Sequence, residues 1–362
     1  MPLCATQRLD QRAACALLLA ACALAAPAQA REVLQRYAFS RPQMGTEARI
    51  VLYAADAASA ERGAEAGFAR MHQLDAVLSD YRQDSELQHL VHHAGRGARC
   101  VSEDLFVVLQ AAQTLAVRSG GAFDAARGAV THVWRQARRL DEQPDPTRLQ
   151  AALGAGDHRD VQLHAQTRRV TLARPGLQLD LGGIAKGYVA DQALEAVRNA
   201  GVSRAFVGLG GDLALGAPPP GQAGWQVDIA PLDVPGAPPA VRLQLHDVAV
   251  STAGDAEQWM EIDGVRQSHV IDARDGRPLT FRSTTTVIAP RGLQADGLDT
   301  AASVLGPHAG MALVDSTPGS AVLMIRQNAD GQVQRHASAH WPENTHLSTM
   351  PLEHPGDADD HT

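Results

Sequence analysis

Cysteine is scarce and poorly placed for a disulfide framework. Of the four cysteines, Cys4, Cys15 and Cys22 fall in the first 22 residues, leaving Cys100 alone in the body of the chain. A lone thiol cannot close an intramolecular bridge, so core packing must hold the fold. Aromatic residues make up only 4% of the chain, which weakens any role in stacking on nucleobases. No basic cluster follows the N-terminal segment and the formal net charge is −8, which argues against a nucleic-acid ligand. After residue 24 no stretch is apolar and long enough to span a bilayer.

The N-terminal segment reads as an export signal, separate from the fold. Arg8 and Arg12 precede an apolar run over 13–24, and Ala28-Gln29-Ala30 offers a small-x-small cleavage site before Arg31. Leu19-Ala20-Ala21-Cys22 also resembles a lipobox, in which Cys22 would carry the lipid. Both readings predict a periplasmic protein, either soluble or anchored to the inner membrane as a lipoprotein. Residues 1–30 are thus read as signal and 31–334 as the folded body, long enough for one large domain or two smaller ones; 335–362, rich in Pro, Asp and His, are read as a disordered tail.

Periodicity within 31–334 alternates between strand and helix. Strands are expected over 48–54, Ala205–Leu209, Trp225–Ile229, 240–245, 248–251, 284–288 and 320–326. A further pair, 161–172 and 177–181, is expected to meet around Arg174-Pro175-Gly176. Helices are expected over Ala57–Leu78, after the Ser102 cap, over 188–200 and over 298–305. Strands in hairpin-like clusters separated by helices predict an α+β fold with a mixed, largely antiparallel sheet flanked by helices.

Three segments carry candidate chemistry. In Asp180-Leu181-Gly182-Gly183-Ile184-Ala185-Lys186-Gly187-Tyr188 a strand-like run ends in an acid, two glycines permit close backbone approach, and a lysine opens a helix. That combination suits an anion, or else an ordinary turn with a surface lysine. In Asp296-Gly297-Leu298-Asp299-Thr300, Asp296 and Thr300 share a helix face and offer two oxygens to a hard cation such as Mg2+. The alternative is that Asp296 merely caps the helix. In Ser268-His269-Val270-Ile271-Asp272, His269 is either a general base or a structural histidine.

Taken in order, Met44-Gly45-Thr46, the stretch from Ser79 to Leu87, Gly121-Ala122-Phe123-Asp124, the Asp180–Tyr188 segment, Gly208–Asp212, the His269 segment and the Asp296 segment resemble the ApbE-like FAD:protein FMN transferases. The resemblance covers roughly 44–305. It implies an exported α+β enzyme that uses Mg2+ and FAD. Such an enzyme moves FMN onto a Thr or Ser hydroxyl of a partner protein, usually a membrane redox subunit, and releases AMP. It further implies Asp296, Thr300 and the Gly183 carbonyl as metal ligands, and His269 and Lys186 as catalytic groups. FAD contacts are implied at Met44, Tyr81, Ala122, Phe123, Asp124, Asp180, Lys186, His269 and Asp299. The chain departs from the family pattern at Ser268, Ala273 and 125–127. An FAD pyrophosphatase and a non-catalytic flavin-binding protein are the competing readings.

Overall fold

The computed structural model describes residues 33–232, 239–254, 259–328 and 330–342. The signal segment with its lipobox, and residues 343–362, lie outside the described residues.

Eight strands form one sheet: β1 (Gln35–Gln43), β2 (Thr46–Ala54), β3 (Ala205–Leu209), β4 (Asp212–Leu215), β5 (Ala249–Gly254), β6 (Ser283–Ala289), β7 (Ala321–Gln327) and β8 (Val333–Ala337). They lie side by side in chain order, each antiparallel to its neighbours. The expected α+β class with an antiparallel sheet is therefore what the chain adopts. Among the described residues seven α-helices accompany it: α1 (Ala57–Leu78), α2 (Glu86–His92), α3 (Glu103–Arg118), α4 (Gly128–Leu140), α5 (Pro146–Gly154), α6 (Ala185–Asn199) and α7 (Gly292–Asp315).

Strand alternation sends two cores to opposite faces of the sheet. Ile50, Leu52, Val207 and Val287 point to the face covered by α1, α6 and α7, where the main core lies. Val51, Val250, Ile288 and Leu323 point the other way, against a hairpin of Trp225–Ile229 and Val241–Leu245. The Trp225 ring meets Phe206 edge-on at 5.1 Å. A satellite cluster joins α4 and α5 to a second hairpin, Trp259–Ile262 with Val265–Ser268, through Trp134, Ala137, Met260 and Ile262.

Four expectations need correction. Residues 161–172 fold back on themselves as Val161–His164 and Arg169–Leu172. Residues 177–181 join no strand, although Leu177, Leu179 and Leu181 alternate into the core. Their backbone is satisfied by the start of α4 instead: Asp180 N–H donates to the Ala125 carbonyl at 2.8 Å and Gly128 N–H to the Gln178 carbonyl at 3.2 Å. The helix expected over 298–305 is the middle of α7, which starts at Gly292 and breaks at Gly306 (φ +76°) ahead of Pro307. Lastly, the ordered fold passes the expected limit at 334. β8 runs to Ala337, Ser338 Oγ accepts the Val322 N–H at 3.0 Å, and Trp341 packs on the second core. Order therefore extends through residue 342. Among the described residues no helix is long and apolar enough to cross a membrane.

Candidate active site

The site forms where the start of α6 crosses the start of α7. The two helices touch backbone to backbone: a Cβ on Gly187 would lie 2.1 Å from the Gly292 carbonyl oxygen. Only glycine permits that approach. Asp191, on α6, adds a cap: its carboxylate accepts the Gly292 N–H at 2.8 Å and the Leu293 N–H at 3.2 Å. In return Asp296 of α7 accepts the Gly187 N–H of α6 at 2.9 Å. Asp296 is thus neither a cap of its own helix nor a solvent-facing acid. It is buried one turn inside α7 and tied to a free donor at the N-terminus of α6, where negative charge is favoured.

The same face of α7 buries Asp299 and carries Thr300, whose Oγ1 donates to Asp299 at 3.2 Å. Asp212, at the start of β4, completes a group of three buried carboxylates. Among the described residues Lys186 is the one cation paired with them, its Nζ 2.7 Å from Asp212. Ser251 of β5 lies between two of the acids, 2.7 Å from Asp212 and 2.6 Å from Asp299. A hydroxyl has one proton to give, so this ladder closes only with a proton or a cation on the Asp299 side.

Burial pushes the Asp299 carboxyl well above the carboxylate range, reinforced by Asp296 and Asp212. Asp296 is raised by burial and by Asp212 against the pull of Lys186 and the Gly187 N–H. For Lys186, burial acts downward, but Asp296, Asp212 and Asp299 outweigh it and hold the ammonium above its usual range. The group has more acid than base and is short of a positive charge.

The glycine turn reaches the cluster at Gly183. A Cβ there would sit 3.1 Å from Thr300 Oγ1 and 3.4 Å from the Phe123 ring. Asp296, Thr300, Gly183, Phe123 and Lys186 are therefore brought together. No group of three or more His, Cys, Asp or Glu side chains forms a ready-made metal cage among the described residues. The donors present, two side-chain oxygens on one helix face and a backbone carbonyl in the turn, are all hard oxygens. They fit Mg2+, which keeps several waters and needs few protein ligands.

The remaining predicted residues are in different states. Asp180 is spent on structure, accepting from Gly182 N–H at 2.7 Å and from Arg135 at 3.0 Å. Arg135 also pairs with Asp80 and lies over the Tyr81 ring, 4.5 Å from its centroid. Tyr81 is 72% exposed, so the other face of its ring is open. Ala122 is buried, and the Asp124 side chain turns inward to Ala126 N–H, His158 N–H and the His158 ring. Met44 holds φ +48° in the two-residue β1–β2 turn with Gly45, a left-handed conformation that costs a non-glycine residue roughly 1–2 kcal/mol. His269 is half-buried just after the Val265–Ser268 strand.

Two participants escaped the sequence reading. Ser251 sits in an unremarkable apolar strand, and Arg135 lies in a helix not anticipated at all. Asp212 belonged to a visible Gly-Gly-Asp turn, but nothing local showed that it faces Lys186.

The ApbE family model matches residues 44–324. A Treponema pallidum FAD:protein FMN transferase is 35% identical over 82% of this chain and 86% of its own length. The Salmonella typhimurium FAD:protein FMN transferase is 32% identical over 80% of this chain and 83% of its own. Among solved structures, flavin transferase ApbE from Vibrio cholerae superposes with a TM-score of 0.75 at 27% identity, covering 85% of this chain and 98% of that one. The apo flavinyl transferase ApbE of Pseudomonas stutzeri gives 0.73 at 28% identity, covering 84% of this chain and 95% of its own.

Proposed function

The chain belongs to the ApbE family, and from that premise we propose that it is a Mg2+-dependent FAD:protein FMN transferase that esterifies a Thr or Ser hydroxyl of an acceptor protein and releases AMP. One observation carries the metal-dependent part: three buried carboxylates face a single lysine beside a glycine turn. A group with more acid than base calls for a cation, and a cation is what a pyrophosphate needs if it is to lose AMP.

Asp296 and Thr300, with the Gly183 carbonyl, would hold the ion. Bound there, Mg2+ would neutralise the pyrophosphate and stabilise AMP as the leaving group. Lys186, steadied by Asp212, holds a fixed positive charge for the phosphoryl oxygens, which gain negative charge as the reaction proceeds. The acceptor hydroxyl oxygen bonds to the FMN phosphorus and the bond between the two phosphates breaks. The hydroxyl proton passes to His269, and the electron pair leaves with AMP. Met44, Tyr81 and the Phe123 segment line the FAD side. Little covalent chemistry falls to the enzyme; positioning and charge dominate.

The leader-like segment 1–30 supports action outside the cytoplasm, on an exported or membrane-bound redox protein. The test is incubation with FAD, Mg2+ and a candidate acceptor, followed by mass spectrometry of the acceptor and assay of AMP. The expected result is an added FMN on a Thr or Ser, with one AMP per transfer. FMN and AMP released at the same rate without acceptor would replace this reading with a pyrophosphatase.

A further inference from the structure

Arg138 lies on α4, three residues after Arg135 and so on the same helix face. The two guanidinium groups fare very differently. Arg135 takes both carboxylates of this corner, Asp80 and Asp180. Arg138 makes no ion pair among the described residues, and its Nε is buried without a hydrogen-bond partner. Arg127 Nε is also unpartnered, but that side chain has its Nη1 on the Leu153 and Gly156 carbonyls and is accounted for by the fold. Burial, then the charge of Arg135, lowers the Arg138 guanidinium from its usual range. A buried donor left unmade costs about 1–3 kcal/mol, more for a charged group. No carboxylate among the described residues pairs with Arg138 to offset that cost.

Tyr81 lies within electrostatic reach of both Arg135 and Arg138. One face of its ring is covered by Arg135, and the ring is otherwise largely exposed. An open aromatic face next to an unpaired, partly buried cation matches a ligand that carries both a flat ring and an oxyanion. We propose that Arg138 binds a phosphate-type oxyanion of the dinucleotide substrate while a ring of that substrate stacks on the open face of Tyr81. The proposal rests on the reading of the chain as an FAD-dependent transferase and assigns a substrate contact at a residue no motif marks. An acidic side chain of the acceptor protein fits less well. It would supply the oxyanion but no flat ring for the open face of Tyr81.

The test compares Arg138→Gln and Arg138→Lys with the wild type, using the Mg2+-loaded full chain. Affinities for FAD, FMN, AMP and riboflavin are measured by fluorescence or calorimetry, and FMN transfer to an acceptor is followed in parallel. Arg138→Gln should weaken FAD binding about 10–100-fold, the range for losing a hydrogen bond to a charged group. Arg138→Lys should fall between, because a point charge replaces the fork. Riboflavin, which has no phosphate, should bind all three proteins alike. Whichever of FMN or AMP weakens with FAD identifies the phosphate that is touched. Unchanged FAD affinity in a folded Arg138→Gln variant overturns the proposal, as does an equal loss for riboflavin, which would mean that the guanidinium only packs on the ring. A raised KM for the acceptor with normal FAD binding overturns it in favour of an acceptor contact. If the wild type itself bound no FAD and transferred no FMN, the functional reading would fail; wild-type transfer with normal FAD binding in the variant sinks only the role of Arg138.

Discussion

The start of α7 and the outer face of α4 each leave buried charge without a partner. At α7, Asp212, Asp296 and Asp299 are buried against one lysine, so the region lacks a cation. On α4, Arg135 takes both acids of its corner, so the charges balance in number but Arg138 is left without a carboxylate of its own. A fold selected for stability alone would pair these charges or replace them with apolar residues, because unpaired buried charge is expensive. Under the proposed function, the acid-rich start of α7 would receive the metal ion and the unpartnered Arg138 an oxyanion of the dinucleotide.

The largest expected effect breaks the comparison on its acidic side. Asp296→Asn keeps the acceptor for Gly187 N–H but removes the charge. FMN transfer should fall by roughly 10³-fold, the scale of several kcal/mol of metal-assisted stabilisation. Thermal stability at pH 8 should hold or rise, since a carboxylate that burial makes costly to ionise has gone. Transfer retained at limiting Mg2+ would take Asp296 out of the mechanism.

Arg135→Met sharpens the other side. It leaves Asp80 and Asp180, only 13% exposed, without their shared cation. Burial and Asp180 already push Asp80 upward against the pull of Arg135, so in the variant Asp80 should ionise with difficulty near neutrality. Urea unfolding at pH 7.5 should show a loss of about 3 kcal/mol. Part of it should return at pH 5, where one acid takes a proton, and Asp80→Asn should restore part of it at either pH. A loss that stays the same at both pH values would mean that Arg135 acts by packing on Tyr81.

The smallest effect concerns Asp191, whose carboxylate holds the N-terminus of α7 and belongs to neither group. Burial pushes it up to about 6 despite two backbone N–H donors. Because the folded protein binds this proton more tightly than the unfolded chain, its contribution is full below about pH 4 and is lost as pH rises through about 6. The stability of the wild type relative to Asp191→Asn should therefore decline by on the order of 2 kcal/mol between pH 4 and pH 7. A flat difference across that window would put the carboxyl back at its ordinary value.

Much of this was legible in one dimension because the signals are local. The apolar run in 48–54 and the helical spacing of apolar residues in α1 report burial directly, and the order of short motifs pointed to the family. The helix face shared by Asp296 and Thr300 follows from a spacing of four residues alone. Legibility ended where backbone partners are distant. Leu177, Leu179 and Leu181 alternate like a strand, yet their hydrogen bonds go to the start of α4. Helix α4 itself was hidden by its Arg-rich composition, and with it Arg135 and Arg138.

The sequence by itself determined the α+β class, the glycine turn with Lys186 at its end, and the oxygen pair on α7, since each depends on residues within a few positions of one another. Only the tertiary structure decided the electrostatics. Asp212, Ser251 and Asp299 come from three separate elements, and they meet because antiparallel pairing sets β4 beside β5 while a Gly187–Gly292 contact draws α6 onto α7. Whether a charge is paired depends on what lies across that packing, and burial turns the resulting imbalance into an affinity for ions that no local pattern can express.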